Sequence, residues 1–161
     1  MGIANADYNA DGRPDLFITN SRKQAHAFYV GAKQALFANA RTALTSVLGT
    51  FYAGWGDSWV DLNNDGKLDL VLANGAIPVT NLAKNASPIR VVAQQPSGRL
   101  VEAGLVPPIS VNGRGVAAAD YDNDGRGDVA VNSIGGKLVL LPNTGPVAHR
   151  LGGRAAPVSP G

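Results

Sequence analysis

Apolar residues recur along the chain in short β-branched runs, each entered from a turn rich in Asp, Asn and Gly. The sequences DLFITN (15–20), DLVLAN (69–74) and DVAVN (128–132) have the length and composition of buried strands. Segments such as Trp59–Leu62 and Val116–Tyr121 lead into the turns, so each turn joins two strands. In the second unit Ala53–Asp61 reads as a first strand and Asp69–Asn74 as a second, followed by a turn at Asn74-Gly75. Ile89–Gln94 and Arg99–Ala103 then pair as a hairpin across Gln95-Pro96-Ser97-Gly98. The third unit repeats the order with Gly115–Tyr121, Gly127–Asn132, a Gly135-Gly136 turn and Lys137–Leu141. The first unit is the least regular. Its Ala-rich stretch Gln34–Leu48 suits a helix or two irregular strands, and is expected as the outer strand of a blade. Residues 145–161 carry no periodicity and are expected as a flexible tail.

The turns begin at residues 7, 61 and 120, so the repeat period is 54 and then 59 residues. Periods of that size point to propeller blades or related arrays. Four strands per unit is the composition of a blade. The predicted fold is therefore all-β, an array of about three four-stranded blades forming a β-propeller or part of one. It spans residues 1–144, in units of approximately 1–50, 51–110 and 111–144.

Composition narrows the function classes. With 161 residues there is room for roughly one ordinary domain. Hydrophobic residues at 45% supply a core and argue against a disordered chain. The absence of cysteine excludes disulfides, zinc–thiolate sites and Cys nucleophiles. No apolar run is long enough for a membrane helix, and no basic and apolar leader follows Met1. The net charge of +2 conceals two opposed populations. Ten of the twelve acids fall within 7–15, 61–69 and 120–128, where three basic residues leave a net of −7 and hence +9 elsewhere.

Those windows align as DYNADGRPD, DLNNDGKLD and DYDNDGRGD. Asp7, Asp61 and Asp120 hold position one; Asn9, Asn63 and Asp122 position three; Asp11, Asp65 and Asp124 position five. Asp15, Asp69 and Asp128 close at position nine. Carboxylates so close repel unless a cation sits among them. Hard oxygen donors without His or Cys favour Ca²⁺, with up to three ions bound. The glycine at position six permits the sharp turn. Position seven offers its backbone carbonyl, so the basic side chains of Arg13, Lys67 and Arg126 are tolerated there. An EF-hand needs a bidentate Glu at position twelve and flanking helices. Ile18, Leu72 and Val131 stand there instead, so that reading fails.

Three such loops, each followed by an apolar strand, resemble FG-GAP/VCBS-type repeats, the units of integrin-α-like β-propellers. GWGDSWVDLNNDGKLDLVLANG (54–75) is especially similar to the cartilage-acidic-protein-like branch, and GVAAADYDNDGRGDVAVN (115–132) also fits. The resemblance implies Ca²⁺ at the loop positions named and a secreted or cell-surface setting. It also implies a structural, adhesion or protein-interaction role. The family includes adhesion proteins, surface proteins and domains attached to enzymes. The third unit departs in placing Ser133 where Asn20 and Asn74 stand. A closed single-chain propeller typically needs four to eight blades, so a fragment of a longer protein is expected, or open sheet edges that self-associate.

The remaining motifs weigh less. Arg126-Gly127-Asp128 spells an integrin-recognition tripeptide, but Asp128 closes the third loop. Asn85-Ala86-Ser87 is a glycosylation sequon followed by Pro88, expected to be unused. Trp55, Asp57 and Trp59, at alternating positions on one strand face, are a weak candidate sugar platform; packing of both indoles between blades is the favoured alternative. His26 and His149 lie in no nucleophile motif, and Asp57 and Glu102 are the only acids outside the loops. No GxSxG, Walker or GxGxxG signature occurs, so no catalytic residue is expected and the chain is not expected to be an enzyme. Scattered basic residues do not form a nucleic-acid strip. The reading is a calcium-binding propeller module whose protein or glycan partner is unidentified. The alternative is a carbohydrate-binding accessory or enzyme-associated domain.

Overall fold

The structure is a computed structural model describing residues 1–105 and 108–144. Its first sheet joins β1 (Ile3–Ala6), β2 (Asp15–Ile18), β3 (Ala27–Gly31) and β4 (Phe37–Asn39), all antiparallel and in chain order. A helix, α1 (Arg41–Leu48), follows and leads to the second sheet. That sheet orders β5 (Gly54–Val60), β6 (Asp69–Asn74), β8 (Arg90–Gln94) and β9 (Leu100–Glu102). Between β6 and β8 the chain makes an excursion ending in β7 (Ser87–Pro88), which pairs with β10 (Ser110–Val111) on the way into the third sheet. The third sheet holds β11 (Gly113–Ala119), β12 (Asp128–Ser133) and β13 (Val139–Leu141). Strands β1, β5 and β11 lie side by side, so the sheets are blades meeting at their first strands.

Burial explains why the strand sequences differ. In β6 every residue is buried, because the middle blade is covered on both faces. Leu70 and Leu72 point to the first blade, joining Phe17, Phe28 and Val92. Val71 and Ala73 point the other way and meet Val129, Val131 and Leu141. The two phenylalanines are confined to the first inter-blade space, and the second is filled by aliphatic residues alone. Strand β2 alternates buried with half-buried residues, as expected of a sheet covered on one face only.

The Ala-rich segment corrects one expectation. Only Phe37–Asn39 forms the outer strand of the first blade, whereas Arg41–Leu48 is helical. Leu44 and Leu48 are spaced i, i+4 and both enter the core shared by the first two blades. Asn39 Oδ1 accepts the N–H of Arg41 at the start, and Gly49, at φ 64°, ends the helix in the left-handed conformation. Periodicity missed this because one apolar stripe on eight residues matches either element.

Completeness varies between the blades. The first blade has all four strands, its opening strand lying directly before the loop. The third shows three strands among the described residues. The Asn74-Gly75 turn opens the longer excursion rather than a tight connection. The stretch 145–161, with His149, lies outside the described residues.

Candidate metal centres

The three acidic loops fold alike because the same hydrogen bonds recur at the same positions. In the first, the N–H of Asp11 donates to Asp7 Oδ1 and Asn9 Oδ1, that of Gly12 to Asp7 Oδ2, and that of Arg13 to Asp11 Oδ1. The second repeats this with Asp65, Gly66 and Lys67 donating to Asp61, Asn63 and Asp65. The third does so with Asp124, Gly125 and Arg126 donating to Asp120, Asp122 and Asp124. Position six has φ 82°, 78° and 84° at Gly12, Gly66 and Gly125, which explains the invariant residue type among the three loops. Position four is also left-handed, at Ala10, Asn64 and Asn123. Asn tolerates that conformation, while Ala10 bears a strain of about 1 kcal/mol.

Carboxylate oxygens of Asp120, Asp122 and Asp124 approach within 4.8 Å of one another, close enough to share one cation. Asn9 and Asn63 contribute an amide oxygen at the matching place. Arg126 pairs with Asp124 at 2.6 Å, and Arg13 pairs with Asp11 in the same way. Asn64 of the second loop donates to the carbonyl of Gly125 at 3.1 Å, so two loops adjoin at one end of the array.

The position-nine aspartates have a second role that spacing did not reveal. Asp15 accepts the N–H groups of Tyr8 and Gly31, Asp69 those of Leu62 and Gln94, and Asp128 those of Tyr121 and Asn143. All three are buried, and each ties its loop to the third strand of the blade or the residues beside it. Burial pushes the Asp69 carboxyl up to about 6, opposed by the N–H groups of Gln94 and Leu62 and reinforced by the Asp65 and Asp61 charges. The Asn143 amide also reaches the carbonyl of Leu62 at 2.6 Å, bridging the second and third blades.

Trp55, Asp57 and Trp59 form no common exposed platform. A register shift between Gly54 and Asp57 interrupts the alternation of β5. Trp59 packs with Tyr8 and Phe28, at centroid distances of 5.7 and 6.0 Å. Trp55 donates to the Gly75 carbonyl and carries the Arg114 guanidinium 4.1 Å above its ring. Both indoles are half-buried between blades. His26 is buried, its Nδ1 accepting the N–H of Asn20; burial and the Arg90 charge lower its pKa. Asn85 of the sequon accepts the N–H groups of Thr80 and Asn81, and so organises its own loop. Asp128 of the Arg-Gly-Asp sequence is buried.

Burial pushes Asp57 up to about 7 despite the N–H of Ala4, and its Oδ2 has no hydrogen-bond partner among the described residues. Unfolded, it titrates near 3.8, so between pH 4 and 7 the native state holds the extra proton. Asp57 therefore subtracts stability as pH rises through that window and subtracts a constant amount above it. Asp57→Asn should match the native protein below pH 4 and exceed it by about 1–2 kcal/mol at pH 8, solvent screening included. Urea unfolding at several pH values reads the difference; a gap independent of pH would exclude this account.

Blades of antiparallel strands, each with an acidic loop between its first two strands, define a β-propeller-like repeat protein. A family model of the FG-GAP-like repeat matches residues 7–72 and again 61–131, most of the chain, and the chain belongs to that family. A search among curated proteins finds no match. No helix among the described residues is long and apolar enough to cross a membrane.

Proposed function

We propose that this chain is a calcium-binding module of the propeller type, structural and interaction-based in role, working in a secreted or cell-surface setting. One observation carries the reading: an oxygen-rich loop with the same hydrogen-bond pattern occurs three times, with three carboxylates within 4.8 Å in the third. Bound Ca²⁺ supplies the positive charge that offsets the repulsion of those carboxylates. Positions one, three and five present side-chain oxygens, position seven its carbonyl, and position nine the carboxylate anchoring the loop to its blade. Because position nine also holds the third strand, an ordered loop keeps the strands of a blade in register. The acids outside the loops support a non-enzymatic role. Glu102 is paired to Arg90 at 2.6 Å, while Asp57 sits on an inner strand, so the two do not work together.

Extracellular modules of this sort bind Ca²⁺ at about 10⁻⁴–10⁻³ M. The third loop, with Asp122 where the others have Asn, should bind most tightly. The Arg126–Asp124 pair does not reverse that order, since an exposed ion pair is worth about 0–1 kcal/mol. Calorimetric titration should show the tightest site vanish in Asp124→Ala while weaker sites remain. An unchanged isotherm would sink the assignment.

A further inference from the structure

The ten loop acids crowd one end of the array, where β1, β5 and β11 run into their loops. The opposite end is built from the connections after β2, after α1 and after β6. Backbone bonds from Lys23 to Thr50, from Gly54 to Asn20 and from Gly75 to Ala53 tie these connections together. Between them opens a cavity of about 460 Å³. Arg22 and Lys84 line it, and no carboxylate does. Neither cation has an ion-pair partner among the described residues. Phe51 and Tyr52 line it too, 76% and 36% exposed, so their rings are open to a ligand. Asn85 and Ser87 add polar groups to the wall.

We propose that this cavity binds an anionic saccharide, a sugar bearing a carboxylate or sulfate. Two cations in a wall without carboxylates select for an anion. The aromatic rings offer flat apolar surface to the face of a sugar ring. The Asn85 side-chain oxygen is taken by Thr80 and Asn81, and its amide N–H groups match the hydroxyl oxygens of a sugar. The volume lies within the range of about 300–1,000 Å³ typical of small-molecule sites. A simple inorganic anion would leave the two aromatic side chains without a role, and a neutral sugar would leave the two cations without one. The cavity shares no residue with the acidic loops, so the two readings stand or fall separately.

The test titrates the 161-residue chain with trigalacturonate, with maltotriose and with inorganic sulfate, each with and without Ca²⁺. Saturable binding is expected for trigalacturonate alone, weakening as NaCl rises from about 50 to 300 mM. Arg22→Gln/Lys84→Gln should weaken it by about tenfold or more, as should Phe51→Ala. All three residues are exposed, so unchanged circular dichroism is expected. Lys33→Ala/Arg99→Ala removes two cations near the loop end and should leave binding unaltered. Equal loss in that control would mean diffuse electrostatic attraction and overturn the proposal. Binding that requires Ca²⁺ and survives Arg22→Gln/Lys84→Gln would overturn it too, placing the sugar at the loops. Sulfate binding as tightly as trigalacturonate, or no saccharide binding at all, would equally overturn it.

Discussion

Replacing Arg90 with Met should lower the unfolding free energy by about 3 kcal/mol. The guanidinium is buried and each of its three nitrogens donates a hydrogen bond. It donates to the carbonyls of Leu48 and Val47, each at 2.9 Å, and to Glu102 Oε1 at 2.6 Å. The two carbonyls belong to the last turn of α1, where a cation also complements the helix dipole. Arg90 thereby fastens the helix between the first two blades onto a strand of the second. Methionine keeps the apolar stem but leaves two carbonyls without donors, at about 1–3 kcal/mol each before water relieves them. Arg90→Lys should fall between the two, because an ammonium cannot reproduce the fork. Glu102→Gln should cost under about 1 kcal/mol, since Glu102 is 46% exposed. Denaturant unfolding of the three variants decides the matter; a neutral Arg90→Met would show that α1 is held by Leu44 and Leu48 alone.

That contact has no counterpart in the local sequence. Strand β6 was legible because a blade covered on both faces demands an unbroken apolar run, and Leu70–Ala73 supplies it. The loops were legible because the turn and the oxygen donors are fixed by residue type at fixed spacing. Arg90, by contrast, gives no local signal, as its partners lie 42 and 43 residues away. The buried faces of Asp15, Asp69 and Asp128 were hidden for the same reason, since Gly31, Gln94 and Asn143 come from the next strand or its edge. For Trp55 and Trp59 the favoured reading, packing between blades, is the one observed; the weaker sugar-platform reading fails because period two assumes an unbroken strand, and β5 has a shift in register. The exposed aromatics that could meet a sugar, Phe51 and Tyr52, stand four and three residues before Trp55, and only the folded connections bring Arg22 and Lys84 beside them.

Gly56→Ala should be among the most damaging single substitutions, with an expected loss of about 3 kcal/mol or more. Its backbone is not left-handed, so by conformation alone alanine would be acceptable and would even restrict the unfolded chain. Space decides the sign. A Cβ there would lie 2.5 Å from the Val116 nitrogen and 2.6 Å from the Gly115 carbonyl carbon and Cα. These are backbone atoms of β11 and cannot rotate aside as a side chain would. The first strands of the second and third blades meet at this point, in the part of β5 where the register shifts. Relief would require the two blades to separate, opening the space filled by Val71, Val129 and Val131. Amide exchange should therefore quicken in β12 while β2, on the far blade, stays protected. Unchanged exchange in β12 with full stability would mean that the blades do not depend on this close approach.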